Sequence, residues 1–521
     1  MRGDTVVVSR RLARSVRRVR ERLEASFVAL LAASALGVYA LVIVGATVSA
    51  TDGATACSSW PTCDGRWIVP LDDGALVAAM AHRALSLVVG AVVLVTAMTA
   101  WTLRAGRSIR GVLTLVLAIY PLQVALGAVT ATAGGASPYP MLHLVTAMTI
   151  FVGALLALVW QLEVETDDVE STFETYDRYG DGTDETAIDT GGVETVTGDA
   201  SASGSPASAA DSGTSVPVAV EPASESTAIG RYWRRAMAYA SLTKPRLMWL
   251  LCFVAVAGMG LATAGTGLPL TPTLVVGTLL GGVLAIGASG TFNHVLERDV
   301  DKKMGRTADR PTATDDVTIP KATAFGIALA AASLAVFLAM VNVLAAILGL
   351  VAIFFYSVVY TIVLKPNTTQ NIVIGGAVGA LPALIGWAAV TGSIGVPALL
   401  LGVLIFLWTP AHFYNLALAY KKDYERGGFP MLPITRGEAV TLRHISWYFG
   451  ATLIAAVALG VAAPLGTVYA ATVVAFAAIF LFAIIELYRA RTPKAAFRTF
   501  HASNAFLGVV MVVIVVETLV F

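Results

Sequence analysis

Thirteen runs of roughly 18 to 25 apolar residues, separated by short polar stretches, confine this chain to a lipid bilayer. In lipid every main-chain N–H and C=O must be bonded within its own segment, so each run is predicted as a helix. Four runs lie near 27–50, 75–100, 111–133 and 140–160. Nine more lie near 247–265, 273–291, 323–341, 343–363, 371–391, 397–418, 445–464, 468–487 and 503–521. Composition agrees: 57% of residues are hydrophobic, 13% are charged and mean hydropathy is +0.76, which excludes a soluble globule. Between the two sets, residues 162–230 are rich in Asp, Glu, Ser, Thr and Gly, with Arg178 the sole base, and cannot bury a core. The expected architecture is an all-α polytopic membrane protein: a four-helix transmembrane bundle over 1–161, a disordered acidic linker over 162–230, and a nine-helix bundle over 231–521.

Charge placement orients these spans. Eight arginines crowd residues 2–22, and threading the chain from a cytoplasmic N-terminus puts Arg104, Arg107, Arg110, Lys244, Lys302, Lys365, Lys421 and Arg489 in inner loops. Outer loops near 51–74, 134–139 and 392–396 carry almost no base, with Arg66 the exception, as the positive-inside rule requires. The expectation is a multi-pass protein of the cell membrane with its C-terminus outside. The net charge of +1, with basic and acidic blocks segregated, argues against a nucleic-acid partner.

One inner stretch, Asn293 to Pro311, packs acids and bases against the end of an apolar run, and such groups in a membrane protein mark a functional site by default. On a helix Asn293, Glu297 and Asp301 fall at i, i+4 and i+8, about 6 Å between neighbours, forming one oxygen-rich stripe. Such a stripe suits Mg²⁺, which takes hard oxygen ligands and is completed by a substrate's phosphates. Arg306 and Arg310 follow within reach of those phosphates, while Asp299 points off the stripe. The bland alternative is a mixed-charge loop that merely stops two helices from sliding into lipid. Two further polar stretches, Tyr360 to Asn371 and Trp408 to Pro433, sit at the same face.

The pattern Asn-x3-acid-x3-Asp-x2-Met-x-Arg-Thr-x2-Arg, met by Asn293, Glu297, Asp301, Met304, Arg306, Thr307 and Arg310, resembles the UbiA superfamily of intramembrane prenyltransferases. Lys365, Thr369 and Asn371, the pairs Gly386-Trp387 and Thr391-Gly392, and Asp423-Tyr424 with Pro430-Met431-Leu432-Pro433 resemble its heme-farnesylating branch. The likeness runs from Leu242 to the C-terminus and departs at Ala411, where a second proline is usual. It implies a farnesyl diphosphate donor, a heme B acceptor and Mg²⁺ held by Asn293, Glu297, Asp301 and Asp423. Lys244, Arg306, Arg310 and Lys365 would clamp phosphate oxygens, with His412 and Trp408 on the acceptor side. A quinone or lipid acceptor, or a non-catalytic membrane heme carrier, is the competing reading.

In the first bundle His82 and His143 fall at similar depth from the outer face, roughly 6 to 10 Å at 1.5 Å per residue. Paired histidines at one level can ligate heme from both sides, and the alternative is two unrelated histidines bonded to main-chain carbonyls. Cys57 and Cys63, six apart in an outer loop, can form a disulfide or a zinc pair. Together with Leu122-Gln123, Gly127 and Leu142-His143-Leu144 they resemble one half of the heme A synthase family. That likeness implies His82 and His143 as heme axial ligands, bound heme B, and homo-oligomeric or oxidase-assembly partners. Ala79 stands where that family usually has glutamate.

Overall fold

The computed structural model describes residues 23–46, 57, 59–70, 72–133, 138–166 and 228–520. The basic segment 1–22 and nearly all of the acidic linker lie outside the described residues. Within them, thirteen helices are long and apolar enough to cross a membrane. The first module contributes α1 (Leu23–Ala46), α2 (Gly74–Thr102), α3 (Arg107–Thr132) and α4 (Tyr139–Thr166). A shorter helix, α5 (Ala228–Leu242), precedes α6 (Pro245–Thr266), α7 (Pro272–Asp301), α8 (Ile319–Met340), α9 (Val343–Asn367) and α10 (Asn371–Thr391). Then come α11 (Val396–Ala419), the short α12 (Lys421–Arg426), α13 (Glu438–Ala462), α14 (Thr467–Ala490) and α15 (Pro493–Leu519).

Helix ends differ from the apolar runs where caps, not hydropathy, set the boundary. Helix α15 begins at Pro493, not near 503, because Thr492 accepts the Ala495 N–H at 3.1 Å and proline suits the first turn. Helix α7 runs on to Asp301 because its polar end is enclosed by protein, with Asn293, Glu297 and Asp301 all buried. Helix α5 was not expected at all, since it is too polar to register as a span.

Small residues let these helices approach, as membrane interiors require where hydrophobicity cannot drive association. Gly258 of α6 abuts the Ala383 carbonyl of α10, and Gly386 of α10 abuts the Ala255 carbonyl of α6, so a Cβ at either would collide with main chain. Phe337 of α8 lies wedged between Gly281 of α7 and Gly349 of α9, each 2.8 Å from a virtual Cβ.

The two modules share one apolar core. Leu155 of α4 sits on Gly450 of α13, and the Tyr39 hydroxyl donates to the Leu453 carbonyl at 3.1 Å. At the C-terminal end of α4, Arg443 bonds Glu163 at 2.5 Å, Arg489 lies 3.6 Å from Glu165, and Arg491 donates to Thr166 at 3.1 Å.

Candidate active site

Helix α7 carries the stripe as one unbroken face, and each of its members meets a base from another element. Lys365 Nζ lies 2.6 Å from Glu297 Oε1, and Arg310 Nη1 bonds both Asp301 oxygens at 2.8 Å. Lys244 Nζ donates to Asn293 Oδ1 and, at 3.2 Å, to the Tyr356 hydroxyl. Burial pushes the Lys244 ammonium down to about 8; Arg310 adds to the push, while Glu297 and Asp301 oppose it. Lys244 reaches the stripe because Gly287 and Gly290 of α7 admit the α5–α6 corner, with the Leu242 carbonyl 2.9 Å from a virtual Cβ at Gly290.

Opposite the stripe, α9 changes pitch. Residues Phe355–Leu364 form a π-helix, whose i→i+5 bonds widen the turn. At 3.6 residues per turn, positions five apart stand roughly 140° apart, so Tyr356 and Thr361 would diverge. The wider turn brings them to one side, where Tyr356 meets Lys244 and Thr361 accepts from Asn293 Nδ2 at 3.1 Å, just before Lys365 meets Glu297. Tyr360 fits beside them because Gly375 leaves room for its ring, 2.5 Å from a virtual Cβ.

Two loops close the site. Asp423 accepts the N–H of Gly305 at 3.0 Å and of Arg306 at 3.1 Å, and Met304 lies against Gly427. Both oxygens of Asp423, expected among the metal ligands, accept main-chain N–H groups here, so it also organises the loop that presents Arg306. Arg306 stacks over Tyr420 and Tyr424, 5.2 and 6.0 Å from their ring centres, and Lys365 lies 4.3 Å from that of Phe429. Asp299 is exposed, 3.9 Å from Arg298 and off the stripe as expected.

Farther along α11, His412 is stacked between Trp408 and Phe500, at 4.3 and 4.2 Å, and its Nδ1 bonds Ser503 at 2.6 Å. Trp408 Nε1 donates to the Ser503 carbonyl at 3.0 Å. Only the Nε2 edge of His412 remains for an acceptor.

In the first module Cys57 and Cys63 are joined as a disulfide. Arg83 donates to the carbonyls of Ser59, Pro61 and Thr62 at 3.2, 3.1 and 2.9 Å, tying the disulfide loop to the helix turn that bears His82. Gly45 and Gly127 make room for the two imidazoles, whose Cε1 atoms lie 2.9 and 3.0 Å from virtual Cβ positions. His143 Nε2 lies 3.3 Å from Gln123 Nε2, and Nδ1 of both histidines is buried without a partner among the described residues. Ala79 packs with Cys57, Cys63 and Val69 in an apolar patch under the loop.

Residues 250–510 match the UbiA prenyltransferase family, half of the chain. The chain belongs to that family. Residues 28–178 match a second family, described as cytochrome oxidase assembly protein. A protoheme IX farnesyltransferase of Halobacterium salinarum is 50% identical over 95% of this chain and 98% of its own length. Protoheme IX farnesyltransferase 1 of Natronomonas pharaonis is 52% identical over 95% and 98%. A protoheme IX farnesyltransferase of Mycobacterium avium is 42% identical, with 54% of this chain covering 91% of it. Among solved structures, a UbiA homolog from Archaeoglobus fulgidus bound to GPP and Mg²⁺ aligns over 53% of this chain and 99% of its own, with 19% identity and a TM-score of 0.41.

Within the prenyltransferase part, the stripe and the bases Lys244, Arg310 and Lys365 meet as the motif implied. Tyr356 and Thr361 escaped the sequence reading because a π-helix has no hydropathy signature in an apolar run. The role of Arg83 has no sequence signal either, since nothing in the sequence tells which carbonyls a guanidinium will reach.

Proposed function

We propose that the chain transfers a farnesyl group from farnesyl diphosphate to a vinyl group of heme B, with addition of water, to give heme O. The observation that carries this reading is the buried stripe of Asn293, Glu297 and Asp301 facing Lys244, Lys365 and Arg310. The printed names of relatives about 50% identical over almost the whole chain support the acceptor and donor. The donor set is hard oxygen on one helix face, which fits Mg²⁺ held by one or two carboxylates and completed by phosphates. When bound, the metal neutralises the leaving diphosphate.

The chain's own groups do the rest. Glu297 and Asp301 face Lys365 and Arg310, which offset the two acid charges in the buried site, and Lys244 and Arg306 leave an excess of positive charge for a diphosphate. Asn293, Glu297 and Asp301 would hold the metal, and Lys244, Arg306, Arg310 and Lys365 would take phosphate oxygens. Asp423 sets the loop that aims Arg306, and the Phe429 roof excludes water while the allylic cation lives. Trp408 and His412 wall the acceptor side. The Lys- and Arg-rich loops at the same end support a cytoplasmic position for the stripe.

We further propose that His82 and His143 hold a heme in the first module. Two buried ring nitrogens without partners among the described residues, on rings that Gly45 and Gly127 make room for, support this. The Mycobacterium avium relative needs only 54% of this chain to account for 91% of itself, so the farnesyl transfer implied by its name does not require a second module.

The test is to incubate the purified full chain with Mg²⁺, farnesyl diphosphate and heme B and to read extracted hemes by mass spectrometry. A farnesylated, hydrated heme that disappears in Glu297→Gln is expected. Unaltered heme B, with prenylation of a quinone precursor or lipid instead, would overturn the acceptor assignment.

A further inference from the structure

Helix α5 is separated from the membrane-crossing α6 by two residues, and the second, Lys244, is left-handed with φ 56°. A left-handed residue breaks the helical path, so α5 turns away from α6 instead of extending it. One face of α5 is docked: Leu242 is fully buried against Val317 and Ala322, and the Tyr239 ring meets Phe325 at 5.0 Å. Held there, and pressed at its corner onto Gly287 and Gly290, α5 is fixed to the bundle.

The opposite side of α5 is apolar and uncovered. Trp233 and Met237, one turn apart, are 62% and 63% exposed, with Ala236 and Ala240 beside them on the same ridge. Tyr232, 72% exposed, extends the ridge toward the N-terminus. Off the ridge lie Arg234 and Arg235. Arg235 is exposed and makes no ion pair among the described residues. The level of the membrane surface is marked nearby by Trp249, exposed one turn into α6 and edge-on to Phe253, as aromatic belts are.

We propose that α5 is an in-plane membrane helix whose Trp233–Met237 ridge enters the acyl boundary and whose arginines take anionic lipid head groups. An apolar ridge bearing tryptophan, flanked by bases and rigidly held at the mouth of a membrane bundle, fits that partner in both polarity and charge. The helix then lies at the same end of the bundle as Lys244 and the stripe.

The experiment places an environment-sensitive fluorophore at Met237→Cys, in a Cys252→Ser background with the Cys57–Cys63 disulfide intact. An exposed reference label goes at Asp309→Cys. The full chain is reconstituted in vesicles of phosphatidylglycerol with brominated phosphatidylcholine. The label at 237 is expected to be quenched severalfold more by brominated lipid than the one at 309, and iodide is expected to do the reverse. Replacing phosphatidylglycerol by phosphatidylcholine should weaken lipid quenching at 237, and Arg235→Gln should shrink that difference. Equal access of iodide to both labels would overturn the proposal, as would shielding of 237 from both quenchers, which would mean a protein surface covers the ridge. Indifference to anionic lipid would overturn the head-group assignment. None of these readings depends on catalytic activity.

Discussion

In the prenyltransferase part, Glu297 and Asp301 each rest against a base, whereas in the four-helix part His82 and His143 each keep a buried nitrogen with no partner among the described residues. Charged groups cannot wait unpaired in a low-dielectric interior, but neutral imidazoles can. The first site is therefore a set of ion pairs. The second is a pair of imidazoles packed against glycines, where no ion pair among the described residues stands in the way of a ligand. The two parts are nonetheless packed as one body through α1 and α4 against α13 and α14.

The sharpest way to break this comparison is at the stripe. Asp301→Asn is expected to lower farnesyl transfer about 100- to 1,000-fold, as loss of a charge-stabilising group does, and to leave heme absorbance of the first module unchanged. Product formation by mass spectrometry and the visible spectrum check the two halves of that statement. Glu297→Gln leaves Lys365 buried without its acid and should cost about 3–5 kcal/mol of stability. The double variant Glu297→Gln with Lys365→Met should recover most of the melting temperature and none of the turnover.

Conversely, His82→Ala and His143→Ala should each remove the heme absorbance of the first module while farnesyl transfer stays within about twofold, because separate sites perturb independently. A collapse of farnesyl transfer in either variant would show that the modules act together.

A smaller effect comes with pH. Lys244 must carry its proton to bind phosphate, and its ammonium is lowered to about 8, so the cation is lost as pH rises through that value. The kcat/KM profile should fall on the alkaline side, by up to about tenfold per pH unit. Lys244→Arg should push that limb beyond the measurable range. Least of all, Glu163→Ala or Arg443→Ala at the seam should shift the melting temperature only slightly, since a half-exposed pair contributes about 0.2–1 kcal/mol.

Much of the prenyltransferase site was legible from spacing alone. Asn293, Glu297 and Asp301 share a face because they lie on one regular helix, where a local period decides direction. What Asp423 meets was not legible for the complementary reason: its neighbours, Gly305 and Arg306, lie 118 and 117 residues away, and a carboxylate looks the same whether or not it also holds an amide. Helix α5 went unseen because its ridge is only a few residues long, and the pitch change in α9 left no trace in composition.

The sequence by itself determined which runs are long and apolar enough to cross a bilayer and which acids form the stripe, because hydropathy and helical period are properties of neighbouring residues. Only the tertiary structure decided which base each acid faces, how α9 unwinds to bring Tyr356 and Thr361 to the stripe, and that Arg83 ties down the disulfide loop. Those outcomes depend on how closely helices approach across gaps of many residues, 68 between Glu297 and Lys365, and close approach is set by glycines such as Gly287, Gly290 and Gly375 acting together.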